Sequence, residues 1–301
     1  MAISRGQLVK ELEPGLNALF GLEYKRYENQ HAQIFDSENS DRAFEEEVML
    51  SGFANAAVKP EGSAVTFDNA QETFTSRYTH ETIALAFAIT EEAIEDNLYD
   101  RIATRYTKAL ARSMANTKQV KAANVLNNAF NTNYLGGDGL ELCSTLHPTI
   151  AGTFSNELAT SADLNETSLE QSLIDIAAFT DERGLKIAAQ GMKLIIPSEL
   201  QFTAERLMKS QGRVGTADND VNAIVSKGMI PQGYVVNNYL TDSDAFFIKT
   251  DVPNGMKMFN RSPLKTAMEG DFDTGNVRYK ARERYSFGWS DPRGIFGSPG
   301  A

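Results

Sequence analysis

Apolar and polar residues follow a helical spacing along one long stretch, residues 90–130, which contains neither glycine nor proline. Apolar or small residues recur there every three or four positions, which keeps one stripe facing a partner. Thr90 can cap the first turn, and the acidic residues from Glu91 to Asp96 suit the positive end of a helix dipole. We therefore predict one amphipathic helix about 60 Å long, which ends before the glycine-rich residues 136–139. Its predicted inward positions are Ile94, Leu98, Ile102, Tyr106, Leu110, Met114, Thr117, Val120, Ala123 and Asn127.

Extended segments precede this helix. Residues 44–53 (FEEEVMLSGF) and residues 64–68 are separated by a Pro-Glu-Gly break at positions 60–62, which predicts a hairpin. Residues 77–89 alternate and then become wholly apolar, which predicts a strand that enters a core. At the N-terminus, apolar positions interrupted by Pro14 and Gly15 predict short helical turns with a bend. Residues 24–42 predict an arm that either wraps another surface or is solvated.

A second organised block lies at residues 165–250. It predicts a helix over 168–180, a strand at 192–197, a helix from Ser198 with that residue as its cap, and strands at 234–236 and 245–248. Residues 211–222 predict a polar loop. This alternation of helices and strands indicates an α/β module with its own core, and the whole chain reads as an α+β fold.

Near the C-terminus, residues 276–289 alternate with period two, which predicts a strand. Tyr279, Ala281, Glu283, Tyr285 and Phe287 share one face. The opposite face has four cations, which repel one another and would be relieved by facing carboxylates. These cations are Arg278, Lys280, Arg282 and Arg284. The last residues predict a turn and a short tail.

Composition limits the classes of function. With 301 residues, 42% hydrophobic, the chain can bury a core, and its net charge of −11 opposes tight nonspecific binding to nucleic acid. The N-terminal residues lack the apolar segment of a secretory signal, and the longest apolar run, residues 83–89, is too short to span a bilayer. We expect a chain made in the cytoplasm, without membrane contact.

Catalytic motifs are absent from the sequence, apart from one weak candidate pair. Cys143 is the single cysteine, which excludes an intrachain disulfide and a cysteine-based zinc cage. His147 lies four residues further on, a pair that could act as nucleophile and base. No further group completes a triad or a metal site around it, since the other histidines are His31 and His80. No P-loop, G-x-S-x-G or G-x-G-x-x-G motif is present.

Several segments, in this order, resemble the major capsid proteins of tailed bacteriophages with the Hong Kong 97-like fold. They resemble most the major head subunits of Mu-like phages. None of the segments is a catalytic motif, so the resemblance depends on their number and order. They are EPGLNALFG (13–21), FEEEVMLSGF (44–53), FAITEEAIEDNLYDR (87–101), DGLELCSTLHP (138–148), MKLIIPSELQFTAERLM (192–208) and YKARERYSFGWSDPRG (279–294).

The resemblance implies a domain plan. Residues 1–43 would be an N-terminal arm, 44–80 an extended hairpin loop, and 81–164 a peripheral domain with the spine helix at 90–130. Residues 165–250 would be an axial domain, and 251–301 would return to the peripheral domain. It also implies a structural protein with no enzymatic activity and no cofactor or metal.

By the same resemblance, the subunits form hexamers and pentamers of an icosahedral head shell around double-stranded DNA. Shells would be assembled in the host cytoplasm with a portal and possibly a decoration protein. Because little chain precedes the hairpin, we expect a separate scaffolding protein. Weak contact between the inner wall and DNA needs only a local basic patch. The residues proposed for that patch are Arg5, Lys10, Lys25 and Arg26.

An interface hypothesis follows from charge. The glutamates Glu45, Glu46 and Glu47, or the acidic start of the long helix, would face the row Arg278, Lys280, Arg282 and Arg284 of a neighbouring subunit. A Lys–Asn crosslink, as some relatives form, would join Lys59 to Asn260 or Asn276, but no motif supports it.

Three alternatives stay open from sequence. One is an encapsulin-like shell that encloses a cargo protein, and another is a tail tube or sheath subunit, which would form helical tubes. The third is an enzyme that uses Cys143 and His147.

Overall fold

The computed structural model describes residues 5–90, 92, 99–212, 220–271 and 275–301. Its helices are α1 (Arg5–Arg26), α2 (Tyr99–Asn127), α3 (Glu166–Ala177), α4 (Gln201–Lys209) and α5 (Ala223–Lys227). The first strands are β1 (Asp36–Asn39), β2 (Phe44–Leu50), β3 (Glu72–Thr79), β4 (Glu81–Ile89), β5 (His147–Thr149) and β6 (Gly152–Phe154). The remaining strands are β7 (Gly191–Ile196), β8 (Tyr234–Val236), β9 (Phe246–Thr250), β10 (Met256–Gly270), β11 (Val277–Trp289) and β12 (Ile295–Ser298). Short 3-10 helices lie at Gln30–Gln33, Ser198–Leu200 and Pro292–Gly294.

The predicted long helix is α2, and it ends three residues before the predicted boundary. Most of its predicted start, from Glu91 to Leu98, lies outside the described residues. Leu110, Met114 and Ala123 are buried as predicted, whereas Tyr106 and Val120 are exposed. Small residues beside the predicted stripe are buried instead, because close packing against a sheet favours alanine at the contact. They are Ala103, Ala111, Ala115 and Ala122.

The first sheet has the strand order β1-β10-β11-β4. Strand β11 is antiparallel to both of its neighbours, and β1 pairs with β10 in parallel. Helices α1 and α2 pack on one face, where Leu16, Phe20, Met114 and Tyr279 form part of a shared core. The predicted alternation of β11 is confirmed, since its odd-numbered residues from 277 to 285 are all buried. Strand β10 was not predicted, because its second half mixes polar residues with a proline.

The N-terminal segment differs from the prediction. Helix α1 runs without interruption through Pro14 and Gly15, so the expected bend is wrong. Proline removes one backbone hydrogen bond from a helix, and burial of Leu16 and Phe20 in the following turns offsets this loss. The predicted arm packs on its own subunit: after α1 it forms a 3-10 turn at Gln30–Gln33 and then strand β1 of the first sheet.

The second sheet has the order β12-β9-β7-β8 and forms the core of the predicted α/β block. Helix α3 begins at a capping box of Asn165 and Ser168. The predicted cap at Ser198 is wrong, because that residue opens a 3-10 turn and its hydroxyl bonds Glu199. The predicted loop at 211–222 lies largely outside the described residues.

The C-terminal residues do not stay with the first sheet. After β11 the chain crosses to the second sheet, where β12 pairs with β9. A continuous core joins the two sheets: Leu126 of α2 packs in the same cluster as Ile195, Phe247 and Ile295. Strands β10 and β11 therefore belong to the first sheet and β12 to the second, and the division into a peripheral and an axial domain stays a prediction.

Candidate assembly surface

A two-stranded hairpin, β2 paired with β3, extends from the first sheet. The predicted hairpin is present, but its second strand is Glu72–Thr79, and residues 64–68 belong to a long connection without regular structure. Apolar side chains of this connection are uncovered: Phe67 is 94% and Val58 93% exposed. Phe53 and Val65 are exposed as well. We call residues 51–71 the hairpin tip.

At the base of the hairpin, Glu45 is held within its own chain. The Ser40 hydroxyl donates to Glu45 Oε1 at 2.6 Å. The same Ser40 oxygen lies 2.9 Å from His80 Nε2, and His80 Nδ1 lies 3.0 Å from the hydroxyl of Ser286 on β11. Burial, together with Arg284 and despite Glu45, lowers the pKa of His80. We refer to Glu45, Ser40, His80 and Ser286 as the hairpin clasp.

Glu47 anchors the hairpin a second time. Its carboxylate forms an ion pair with Lys257 of β10 and accepts a hydrogen bond from Ser290. Lys257 also pairs with Glu38 at 3.0 Å. Burial acts to lower the pKa of Lys257, but the hydrogen bonds and charges of Glu47 and Glu38 outweigh it and raise that pKa. Tyr78 of β3 completes the contact, with its hydroxyl 2.5 Å from that of Ser290.

Glu46 points to the other face of the hairpin. It lies 3.8 Å from Arg77 across the strand pair, and both side chains are substantially exposed. The Arg77 guanidinium also lies over the ring of Phe44. Of the three predicted glutamates, Glu46 is therefore the most available to another subunit.

The predicted basic row lies on the face of β11 that is opposite to the helices. Arg278 forms an ion pair with Asp271. Lys280 and Arg282 are exposed, and neither has an ion-pair partner among the described residues. In the register with β4, Lys280 and Arg282 stand opposite Ala86 and Ala84. On the β10 side Lys280 stands opposite Ala267 and Arg282 opposite Lys265, so no carboxylate faces either cation across the sheet. Arg284 is half-buried near the clasp.

Sequence reasoning missed the groups that hold the hairpin, namely Ser40, Lys257, Ser286 and Ser290. An ion pair of Glu283, which is buried on the inner face of β11, was also not predicted. Its carboxylate Oε2 lies 3.2 Å from Lys118 Nζ of α2. These partners lie far apart in the sequence, so no local pattern marks them.

Cys143 and His147 do not form a catalytic pair. Both ring nitrogens of His147 are engaged, Nδ1 with Asp138 at 2.5 Å and Nε2 with Asn156 at 3.1 Å. Cys143 is buried beside Gly297, and this burial raises the pKa of its thiol well above the usual range. A thiol without a base and without access to solvent is not a nucleophile. This geometry does not support Cys143 and His147 as a nucleophile and its base.

Two further features of the described ranges bear on function. They contain no cluster of three or more potential metal ligands of the His, Cys, Asp or Glu type. They also contain no helix with the length and apolar character needed to cross a membrane.

Known structures share this architecture. A virus-like particle protein from Pyrococcus furiosus is 11% identical, with a TM-score of 0.52 over 94% of this chain and 97% of that one. The capsid of an empty GTA particle is 15% identical, with a TM-score of 0.58 over 90% of each chain. A chain of Mycobacterium phage Che8 is 16% identical, with a TM-score of 0.53 over 90% and 92%. Two sheets, a long helix and a projecting hairpin thus define a Hong Kong 97-like capsid fold.

The family follows from a sequence model. The model of a family described as phage capsid protein matches residues 72–297. Comparison with curated proteins gives no significant match. The chain belongs to the phage capsid protein family and is a major capsid protein of the virion shell, where copies of it associate with one another. The closer relation to Mu-like head subunits stays a prediction.

Proposed function

We propose that this chain forms hexamers and pentamers that tile a closed icosahedral head around double-stranded DNA. In this proposal each hairpin and each N-terminal segment lies across a neighbouring subunit. The observation that best supports it is the apolar hairpin tip, because Phe67 and Val58 are almost fully exposed and no described residue of the chain covers them. Exposed apolar patches on soluble proteins mark surfaces that another molecule covers, and a second copy is the partner that a shell provides.

Charge supports a second contact between neighbours. Lys280 and Arg282 have no ion-pair partner in the described part of the chain, whereas Glu45 and Glu47 are engaged in their own chain. We therefore narrow the predicted pairing to Glu46, or to the acidic residues near Glu92, against the basic row of a neighbour. Each exposed pair contributes only about 0 to 1 kcal/mol, so the effect depends on repetition over many subunits.

Reversal of two of these charges tests the contact. The double variant Lys280→Glu, Arg282→Glu is expected to reduce the yield of closed shells severalfold, because it places like charges at every such contact. The subunit should stay folded, since Lys280 and Arg282 are both exposed and neither has an ion-pair partner among the described residues. Negative-stain electron microscopy measures shells, and circular dichroism measures folding.

A matched control keeps the change in charge but moves it to the α/β block at residues 165–250. Lys186→Glu with Lys227→Glu alters two exposed lysines and is expected to give normal shells. Normal shells from the Lys280→Glu, Arg282→Glu variant would show that the basic row is not an interface.

The remaining partners are proposed from the family resemblance. A separate scaffolding protein, a portal and possibly a decoration protein would act with this subunit in the host cytoplasm. Contact with packaged DNA would be weak because the chain has a net charge of −11. Lys25 and Arg26 at the end of α1 are exposed and belong to the proposed inner patch.

The first experiment is to image the purified protein, expressed alone and with a candidate scaffolding protein. Closed shells or free hexamers are the expected result. A stable monomer or dimer under both conditions, or long tubes, would overturn the proposal. The contents of shells produced during infection distinguish a head from a compartment: double-stranded DNA supports this proposal, and a cargo protein supports an encapsulin-like shell.

A further inference from the structure

Both chain segments that join the hairpin to the first sheet pass through one point. Residues 40–43 lead from β1 into β2, and His80 alone separates β3 from β4. Ser40 and His80 are both buried and lie within hydrogen-bond distance of each other. Ser286 joins this pair to β11 in the body of the sheet. A change in the angle of the hairpin must therefore act on this clasp.

The hydrogen bonds determine the protonation of His80. Because Ser40 uses its only hydroxyl proton on Glu45, its oxygen must accept the proton of His80 Nε2. In the neutral ring, Nδ1 then accepts from the Ser286 hydroxyl. The clasp is thus complete with a neutral histidine, and a second proton on Nδ1 would displace the hydrogen that Ser286 donates.

The charges around His80 also disfavour a second proton. Arg284 of β11 and Arg261 of β10 both act on it as like charges, and Glu45 of β2 is the opposing carboxylate. The Nε atoms of Arg261 and Arg284 are buried and have no hydrogen-bond partner among the described residues. Ser40 and Ser286, which contact the ring directly, are uncharged. Protonation would place a third positive charge beside two arginines on a side chain that is itself buried.

We propose that the hairpin clasp is a proton-sensitive hinge, in which protonation of His80 loosens the base of the hairpin and shifts it toward a second orientation. The consequence for shells rests on the proposed function, in which the hairpin lies across a neighbour. The hinge itself is a property of the single subunit. Two other contacts hold the hairpin: the ion pair of Glu47 with Lys257, and a hydrogen bond of 2.7 Å from the Arg183 guanidinium to the backbone carbonyl of Asn69 in the hairpin tip. Neither contact contains a histidine, so protonation of His80 does not remove them.

The sign of the pH dependence follows from the lowered pKa that His80 has in the closed clasp. A released histidine titrates near 6.5, so the closed hairpin is fully favoured above this pH. Below pH 6.5, His80 binds a proton more readily in the open hairpin than in the closed one. Protonation therefore stabilises the open hairpin, and closure is lost as the pH falls toward the lowered pKa. Between pH 7.5 and 5.5, the ratio of open to closed hairpins is expected to rise by up to about tenfold.

Two spin labels measure this ratio in the unassembled full-length subunit. The labels are attached at Lys59→Cys in the hairpin tip and at Glu199→Cys in the α/β block, and both positions are exposed. The native Cys143 is buried and its thiol pKa is raised, so it is spared. Double electron–electron resonance is expected to show one distance at pH 7.5 and a growing second distance at pH 5.5. A distribution that does not change with pH would overturn the proposal.

Variants assign the change to His80. His80→Gln keeps a donor and an acceptor but does not titrate, so its distribution should be the same at both pH values. His31→Gln removes another buried histidine, one whose pKa burial lowers to about 4, and should keep the wild-type response. Ser286→Ala should raise the open population already at pH 7.5. A wild-type response in His80→Gln, its loss in His31→Gln, or an unchanged Ser286→Ala would each refute the hinge. Shell formation is scored separately, so failure of assembly is distinguishable from failure of the hinge.

Discussion

Closed shells are expected to be absent from preparations of the double variant Phe53→Asp, Phe67→Asp. Both phenylalanines lie in the hairpin tip, and both are exposed in the single chain. Full burial of two such side chains against a neighbour contributes about 3 to 6 kcal/mol per contact, and aspartate there would also bury a charge. The change removes no contact from the core of the subunit, so its thermal unfolding should stay within a few degrees of wild type.

Size-exclusion chromatography and negative-stain microscopy measure this effect. Asn55→Asp with Thr66→Asp is the matched control, because it adds the same two negative charges to the same exposed segment without removing apolar surface. Wild-type shell yields from the double phenylalanine variant would show that the tip is not an assembly contact. Loss of shells in the Asn55→Asp, Thr66→Asp control would show that charge, rather than apolar area, decides the result.

Replacing Asn156 by alanine is expected to lower the free energy of unfolding by roughly 3 to 5 kcal/mol. Asn156 is fully buried, and its amide nitrogen donates to the carbonyls of Leu142, Pro292 and Ile295 at 2.8 to 3.2 Å. Its Oδ1 accepts from the backbone N–H of Ser144 and lies 3.1 Å from His147 Nε2. Alanine would leave these groups buried without partners in the segment that joins the two sheets.

Denaturant unfolding of the unassembled subunit, followed by the fluorescence of the single tryptophan, Trp289, measures this cost. Asn133→Ala is the control, since that exposed asparagine bonds only nearby Asn131 within the turn after α2. Its effect should stay below about 1 kcal/mol. Equal effects of the two variants would mean that the network around Asn156 adds nothing beyond ordinary local hydrogen bonding.

Features of the chain that depend on near neighbours were predictable. Helix α2 follows from a stretch without glycine or proline, and the face of β11 follows from strict period-two alternation. Helix α3, β7 and β8 lie within a few residues of their predicted positions. Errors occurred where tertiary contacts outweigh local preference. Pro14 predicts a bend, yet α1 continues because its later residues are buried, and residues 64–68 have a strand-like sequence but no strand to pair with.

The sequence by itself determined the class of this protein. The order of hairpin, long helix, α/β block and basic strand, with the segments quoted above, resembles that of phage capsid subunits, and the family match agrees. Only the tertiary structure decided which charges are free. Glu45 and Glu47 look equivalent to Glu46 along the chain, but Ser40, Lys257 and Ser290 engage the first two and leave Glu46 on the open face. A local pattern records which face a residue is on, whereas Lys257 and Ser290, the partners of Glu47, lie more than two hundred residues away from it in the sequence.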